Sequence, residues 1–109
     1  MYIDQALAVV TIATSDTVSA SIYLKNGVAG AIITPSSLTS TTLSFQVSNN
    51  DVDYTALYDT SGSLISYTVA ANRVIPLSKE IFGAFPYLKI VTGSSEAANR
   101  TFIVLIRAG

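Results

Sequence analysis

The sequence predicts an all-β protein, an antiparallel β-sandwich of about eight strands in a single domain over residues 1–109. Three observations carry that expectation. Short runs alternate apolar and polar side chains with a period of two, the mark of strands with one buried and one wet face. Asn, Asp, Ser and Gly punctuate those runs at the roughly 8–12-residue spacing of sandwiches and small barrels. No segment has the periodicity for a helix longer than one turn.

Taken in order, Ala6 to Thr14 is a first strand, with β-branched bulk from Val9, Val10 and Ile12 and a turn at Ser15 and Asp16. Val18, Ala20, Ile22 and Leu24 then alternate with Ser19, Ser21, Tyr23 and Lys25, predicting one aliphatic and one polar face. Asn26-Gly27 follows directly and predicts a hairpin, because both residues tolerate the positive φ of a type I′ turn. The return strand, Val28 to Thr34, is stopped by Pro35, which has no N–H for a ladder. Pro35 to Thr42, rich in Ser and Thr, reads as a loop crossing between sheets.

Leu43 to Val69 holds the clearest alternation and predicts a β-meander. Its strands are Leu43 to Ser48, Tyr54 to Tyr58 and Ser63 to Val69, joined by Asn49 to Asp53 and by Asp59 to Gly62. Ala70 to Arg73 leads to Val74-Ile75-Pro76-Leu77, and Ser78 is placed to N-cap one helical turn, Ser78–Phe82, ended by Gly83. Tyr87 to Thr92 and Arg100 to Arg107 are the last strands, across the loop Gly93 to Asn99. Thr101 to Ile106 is apolar on both faces, which calls for a central sheet position or for cover by another subunit.

Composition narrows the function classes. Six Lys and Arg against seven Asp and Glu, net charge −1, supply no positive field for a polyanion, so no nucleic acid partner is expected. The absence of cysteine removes disulfides and thiolate chemistry, and the absence of histidine removes imidazole as base or metal ligand. Many serines are present, but without histidine none has a base to activate it, so no catalysis is expected. Met1 to Gln5 lacks the basic start of a signal peptide, and apolar stretches break well short of ~18 residues, so a soluble protein made in the cytoplasm, with no membrane partner, is expected. Half the residues are hydrophobic, more than a small domain hides unaided, so some of that surface is expected to meet another chain.

Three constellations could be sites. Asp51 and Asp53 with Asn49 and Asn50 offer oxygens at the spacing of a calcium loop, but the same residues cap tight turns, and the turn is the expectation; no metal or cofactor is assigned. Tyr54, Tyr58 and Tyr67 could stack a sugar ring, though a place in the core or at a subunit interface is favoured. Arg73, Arg100 and Arg107 could grip a partner's carboxylates, or pair locally with a residue such as Asp59 or Glu80.

Leu43-Ser-Phe-Gln-Val-Ser48 with its acidic turn, Leu57-Tyr-Asp-Thr-Ser-Gly62, Phe85-Pro-Tyr-Leu-Lys-Ile-Val-Thr-Gly93 and Asn99-Arg-Thr-Phe-Ile-Val-Leu-Ile-Arg107 together resemble small tailed-phage virion proteins of the capsid decoration, or cement, kind. More distantly the same order resembles galactose-binding-like jelly rolls, so the sandwich is expected to be jelly-roll-like. The resemblance spans Gly27 to Arg107. It implies a homo-oligomer, with a trimer as first expectation, on the outer capsid surface and in contact with the major capsid protein or another virion protein. The alternative is a carbohydrate- or receptor-binding module of a phage tail or fibre.

Overall fold

The computed structural model describes residues 5–25 and 27–108, and among these it holds nine strands and one helical turn. In chain order they are β1 (Gln5–Ile12), β2 (Ile22–Tyr23), β3 (Gly27–Ile33), β4 (Thr42–Ser48), β5 (Thr55–Ala56), β6 (Ser66–Thr68), β7 (Val74–Pro76), α1 (Lys79–Phe82), β8 (Tyr87–Thr92) and β9 (Arg100–Ala108). They form two antiparallel sheets: a four-stranded one ordered β1-β9-β3-β7, and a five-stranded one ordered β2-β8-β4-β5 in which β6 also pairs with β4. Consecutive strands alternate between sheets, except where β4 is followed by β5 and β6 in its own sheet. That is the wrapping order of a jelly roll.

The period-two pattern closes the space between the sheets. Leu43, Phe45 and Val47 of β4 face Val10 and Ile12 of β1, Ile32 of β3 and Phe102, Val104 and Ile106 of β9 in one core, while Ser44 and Gln46 point away. α1 covers an open end by driving Phe82 inward, where its ring meets Phe45 edge-on at 5.0 Å. The helical turn thus forms where predicted, but its ends are made differently. The Ser78 hydroxyl donates to Glu80 instead of capping the helix. Gly83 keeps a right-handed conformation, and its missing side chain is explained by crowding, since a Cβ would lie 2.5 Å from the Lys79 carbonyl oxygen.

Three expectations are corrected. The Asn26-Gly27 turn does not join paired strands: Asn26 lies outside the described residues, but β2 belongs to the five-stranded sheet and β3 to the four-stranded one. Lys25 takes the positive φ (57°), Gly27 N–H donates to the Leu24 carbonyl, and the chain passes from one sheet to the other. Gly27 is needed there because β9 passes so close that a Cβ would sit 2.5 Å from Ile106.

The meander is the second. β5 and β6 do not stack outward as successive strands but lie end to end along one edge of β4, at Gln46–Val47 and Thr42–Ser44 respectively. Residues 58–64 loop out between them, closed by a bridge from Tyr58 to Leu64. The third is the even alternation from Val18 to Leu24, which slips at Ser19. That serine is buried, its N–H donates to Ile90, and its hydroxyl accepts the Ile90 N–H, replacing a ladder carbonyl.

Candidate functional site

β9 lies between β1 and β3, which accounts for its inner apolar row but not for its outer one. Register places the outer side chains of the four-stranded sheet in two rows. Leu7, Leu105, Ala31 and Pro76 lie side by side, as do Val9, Ile103, Ile33 and Val74. Every member is aliphatic or proline, and Leu7, Val9 and Val74 are 60%, 57% and 63% exposed. Four strands about 4.8 Å apart spread these rows across roughly 14 Å. At one end the Thr11 and Thr101 hydroxyls bond to each other; at the other the Arg107 stem lies over Gly30, at the irregularity in β3 between Ala29 and Ala31. An apolar centre with a polar rim is the anatomy of a protein-docking surface. The signal was present in the sequence: Leu7 and Val9 make β1, like β9, apolar on both faces.

The outer face of the five-stranded sheet differs. It carries Ser44 and Gln46 from β4, Lys89 from β8, and a group of tyrosines. Tyr23 and Tyr87 stack at 4.9 Å, and the Lys89 ammonium sits 4.2 Å from the centre of the Tyr54 ring. The Tyr54 hydroxyl donates to Asp51, and burial together with that bond pushes its pKa up to about 12. Of the tyrosines singled out from sequence, only Tyr54 belongs to this group. Tyr58 is exposed on the 58–64 loop, and Tyr67 turns inward to meet Phe45 edge-on, where burial raises its pKa. Tyr23 and Tyr87 take the places expected of Tyr58 and Tyr67, through a β2–β8 pairing the sequence does not advertise.

The acidic segment is a turn. Asn50 Oδ1 accepts the N–H groups of Val52 and Asp53 and the Ser48 hydroxyl, its amide donates to Asp53, and Asp51 adopts a φ of 61°. Among the described residues no three of Asp, Glu, His and Cys gather in a way that could hold a metal ion.

Asp59 and Glu80 are not arginine partners: Asp59 accepts the N–H groups of Ser61 and Ser63, and Glu80 accepts from Ser78. Arg73 lines a shallow cleft with Thr68, Val69, Ala70, Val74 and Ile75, where the edges of the two sheets approach. Arg100 bonds Glu96, a residue the sequence did not single out.

Glu96 is 2% exposed and fully engaged, accepting from Thr39 N–H (2.8 Å), Ser40 N–H (2.9 Å) and Arg100 Nε (2.9 Å). Burial alone would raise its pKa; the two backbone donors and the guanidinium outweigh it and hold the carboxyl below its ordinary range. Its backbone also bonds Ser15 and Asp16, so one side chain and its peptide join three loops at one end of the sandwich.

No protein-family model matches the chain, and no curated protein matches its sequence. Solved structures do match in fold. The SPBc2 prophage-derived protein YomS aligns over 98% of this chain and 96% of its own, with a TM-score of 0.66 and 14% identity. A Bacillus endospore appendage protein, of a family of disulfide-linked pili, aligns over 97% and 87%, with a TM-score of 0.51 and 16% identity. Chitosan-binding module 1 of a Paenibacillus sp. IK-5 chitosanase/glucanase aligns over 96% and 76%, at 0.49 and 12%. At these identities the likeness to YomS and to the appendage protein shows a shared fold.

Proposed function

We propose that this protein is a structural component of a phage virion that decorates the capsid, performs no chemistry, and attaches through the apolar outer face of its four-stranded sheet. The observation that carries the reading is the pair of aliphatic rows across β1, β9, β3 and β7, exposed at Leu7, Val9 and Val74 and partly exposed at Ile33, Ile103 and Leu105, outside the core cluster. The partner is the major capsid protein or a neighbouring virion protein, met on the outer capsid surface after synthesis in the host bacterial cytoplasm. The prophage origin of YomS, which shares this architecture over nearly its whole length, agrees with such a setting.

Attachment of this kind depends on apolar area and shape with a polar rim, so its salt dependence is mild. Mixing the purified protein with shells that lack it, pelleting them, and imaging by cryo-electron microscopy at low and high salt tests the reading. Regular surface density that survives salt is expected; bare shells would overturn it.

A second reading, a carbohydrate- or receptor-binding module of a tail or fibre, is favoured by the stacked Tyr23 and Tyr87 on the opposite face, since tyrosine offers a flat apolar ring with a polar tip. Retention on a glycan array that is lost in Tyr23→Ala, with no density on heads, would select it.

A further inference from the structure

The sheet edges are not alike. β7 is three residues long and ends in Pro76; β2 is two residues long, preceded by the Ser19 irregularity and followed by Lys25; β5 and β6 are short pieces split by the 58–64 loop. Short, broken, charged or proline-ended strands are how sheets avoid pairing with other chains. β1 has none of these features. Its eight residues keep unbroken register with β9, contain no charge, proline or glycine, and among the described residues nothing pairs with the opposite edge. A long, regular, uncharged edge is a template for another strand.

From this contrast we infer that β1 pairs antiparallel with β1 of a second copy of this chain, across a two-fold axis at Ala8. The occupant follows from the strand itself. Opposed residues in an antiparallel pair point to the same face, and centring on Ala8 sets Leu7 of each copy opposite Val9 of the other on the outer face. Both aliphatic rows then run without a break from one protomer into the next, through two sheets joined as one of eight strands. Nothing charged lies in β1 to repel its copy, and the chain's net charge is only −1. A strand matched to itself by a two-fold closes as a dimer, where a three-fold would leave the edge groups unpaired. The pairing stands independently of what the apolar face meets.

Sedimentation equilibrium of the full chain tests it, with twice the protomer mass expected. Leu7→Lys/Val9→Lys places like charges directly opposite one another and is expected to shift the mass to one protomer. Val74→Lys removes an equally exposed apolar side chain from the far edge of the same face and is expected to leave the dimer intact. Circular dichroism confirms that each variant is folded.

The chain has no cysteine, so Ala8→Cys supplies a single thiol. Its Cα would lie about 4.5–5.5 Å from its twin, within disulfide reach, and near-complete crosslinking under a mild oxidant is expected. A one-protomer mass at every concentration, a three-protomer mass, or dissociation by Val74→Lys as complete as by the double variant would overturn the edge pairing. Failure of the Ala8→Cys crosslink would overturn its centring on Ala8.

Discussion

The two outer faces of this sandwich are built by the same alternation and present opposite chemistry. On the five-stranded sheet the outward positions are mainly Ser44, Gln46, Lys89 and tyrosines, with Val91 and Ala56 among them; on the four-stranded sheet, between the Thr11–Thr101 pair and Arg107, they are Leu7, Val9, Ile33, Ile103, Leu105 and Val74. Burial in the core explains neither set, since both point away from it. The difference shows that hydropathy in this chain is divided between two places: the inner rows hold the fold together, and a second apolar set lies on one outer face, which the proposed function gives to a partner.

The sharpest way to separate those jobs is to remove an inner residue. Phe45 is fully buried between the sheets, and Phe45→Ala is expected to lower stability by ~3–5 kcal/mol in denaturant titration. Gln46→Ala, one residue on, is expected to change it by under ~0.5 kcal/mol. Comparably small losses at both positions would mean that the register of β4 has been assigned wrongly.

Next in size is Glu96, which joins the loops at one end of the molecule. Glu96→Gln is expected to destabilise by about 2–4 kcal/mol, because it weakens three charge-assisted bonds at a buried site. The folded-state carboxyl is held below its ordinary pKa, so its contribution is present above the unfolded pKa and is lost as pH falls through the folded value. Wild-type melting temperature should therefore drop on acidification below the usual carboxylate range, and the variant should show a smaller drop.

Smaller again is Ile103→Lys on the apolar outer face. With its side chain only partly buried, a stability loss of about 1 kcal/mol or less is expected. A loss as large as that of Phe45→Ala would place Ile103 in the core and erase the contrast between the faces. The smallest effect falls on the tyrosine side. Tyr54 should remain protonated when ordinary phenols ionise near pH 10, visible in ultraviolet titration as a phenol titrating near pH 12. Its raised pKa contributes stability that is complete below the unfolded value and lost as pH rises toward 12.

What could be read from sequence was whatever depends on neighbours in the chain. The alternation in Leu43 to Val47 fixed which side chains face inward, and Ser78 to Gly83 marked the helical turn. What could not be read depends on which strand lies beside which. Asn26-Gly27 looks the same whether the next strand pairs with the last or crosses to the other sheet, and β2 and β3 cross. Tyr23 and Tyr87 are 64 positions apart and meet only because β2 pairs with β8. Glu96 gave no signal, because two of its partners are backbone amides at Thr39 and Ser40, and an amide leaves no mark in a sequence. The apolar outer face was half legible: β9 showed its second apolar row, but the rows it joins on β1, β3 and β7 appear only with the register.

The central claim is that the apolar face, and not the tyrosine face, meets the virion. Co-sedimentation with shells lacking this protein tests it directly, comparing Ile103→Lys on the four-stranded sheet with Ser66→Lys on the outer face of the five-stranded sheet. The expected result is that Ser66→Lys pellets with the shells as wild type does, while folded Ile103→Lys stays in the supernatant. Retention of Ile103→Lys on the shells, with loss of Ser66→Lys, would contradict it.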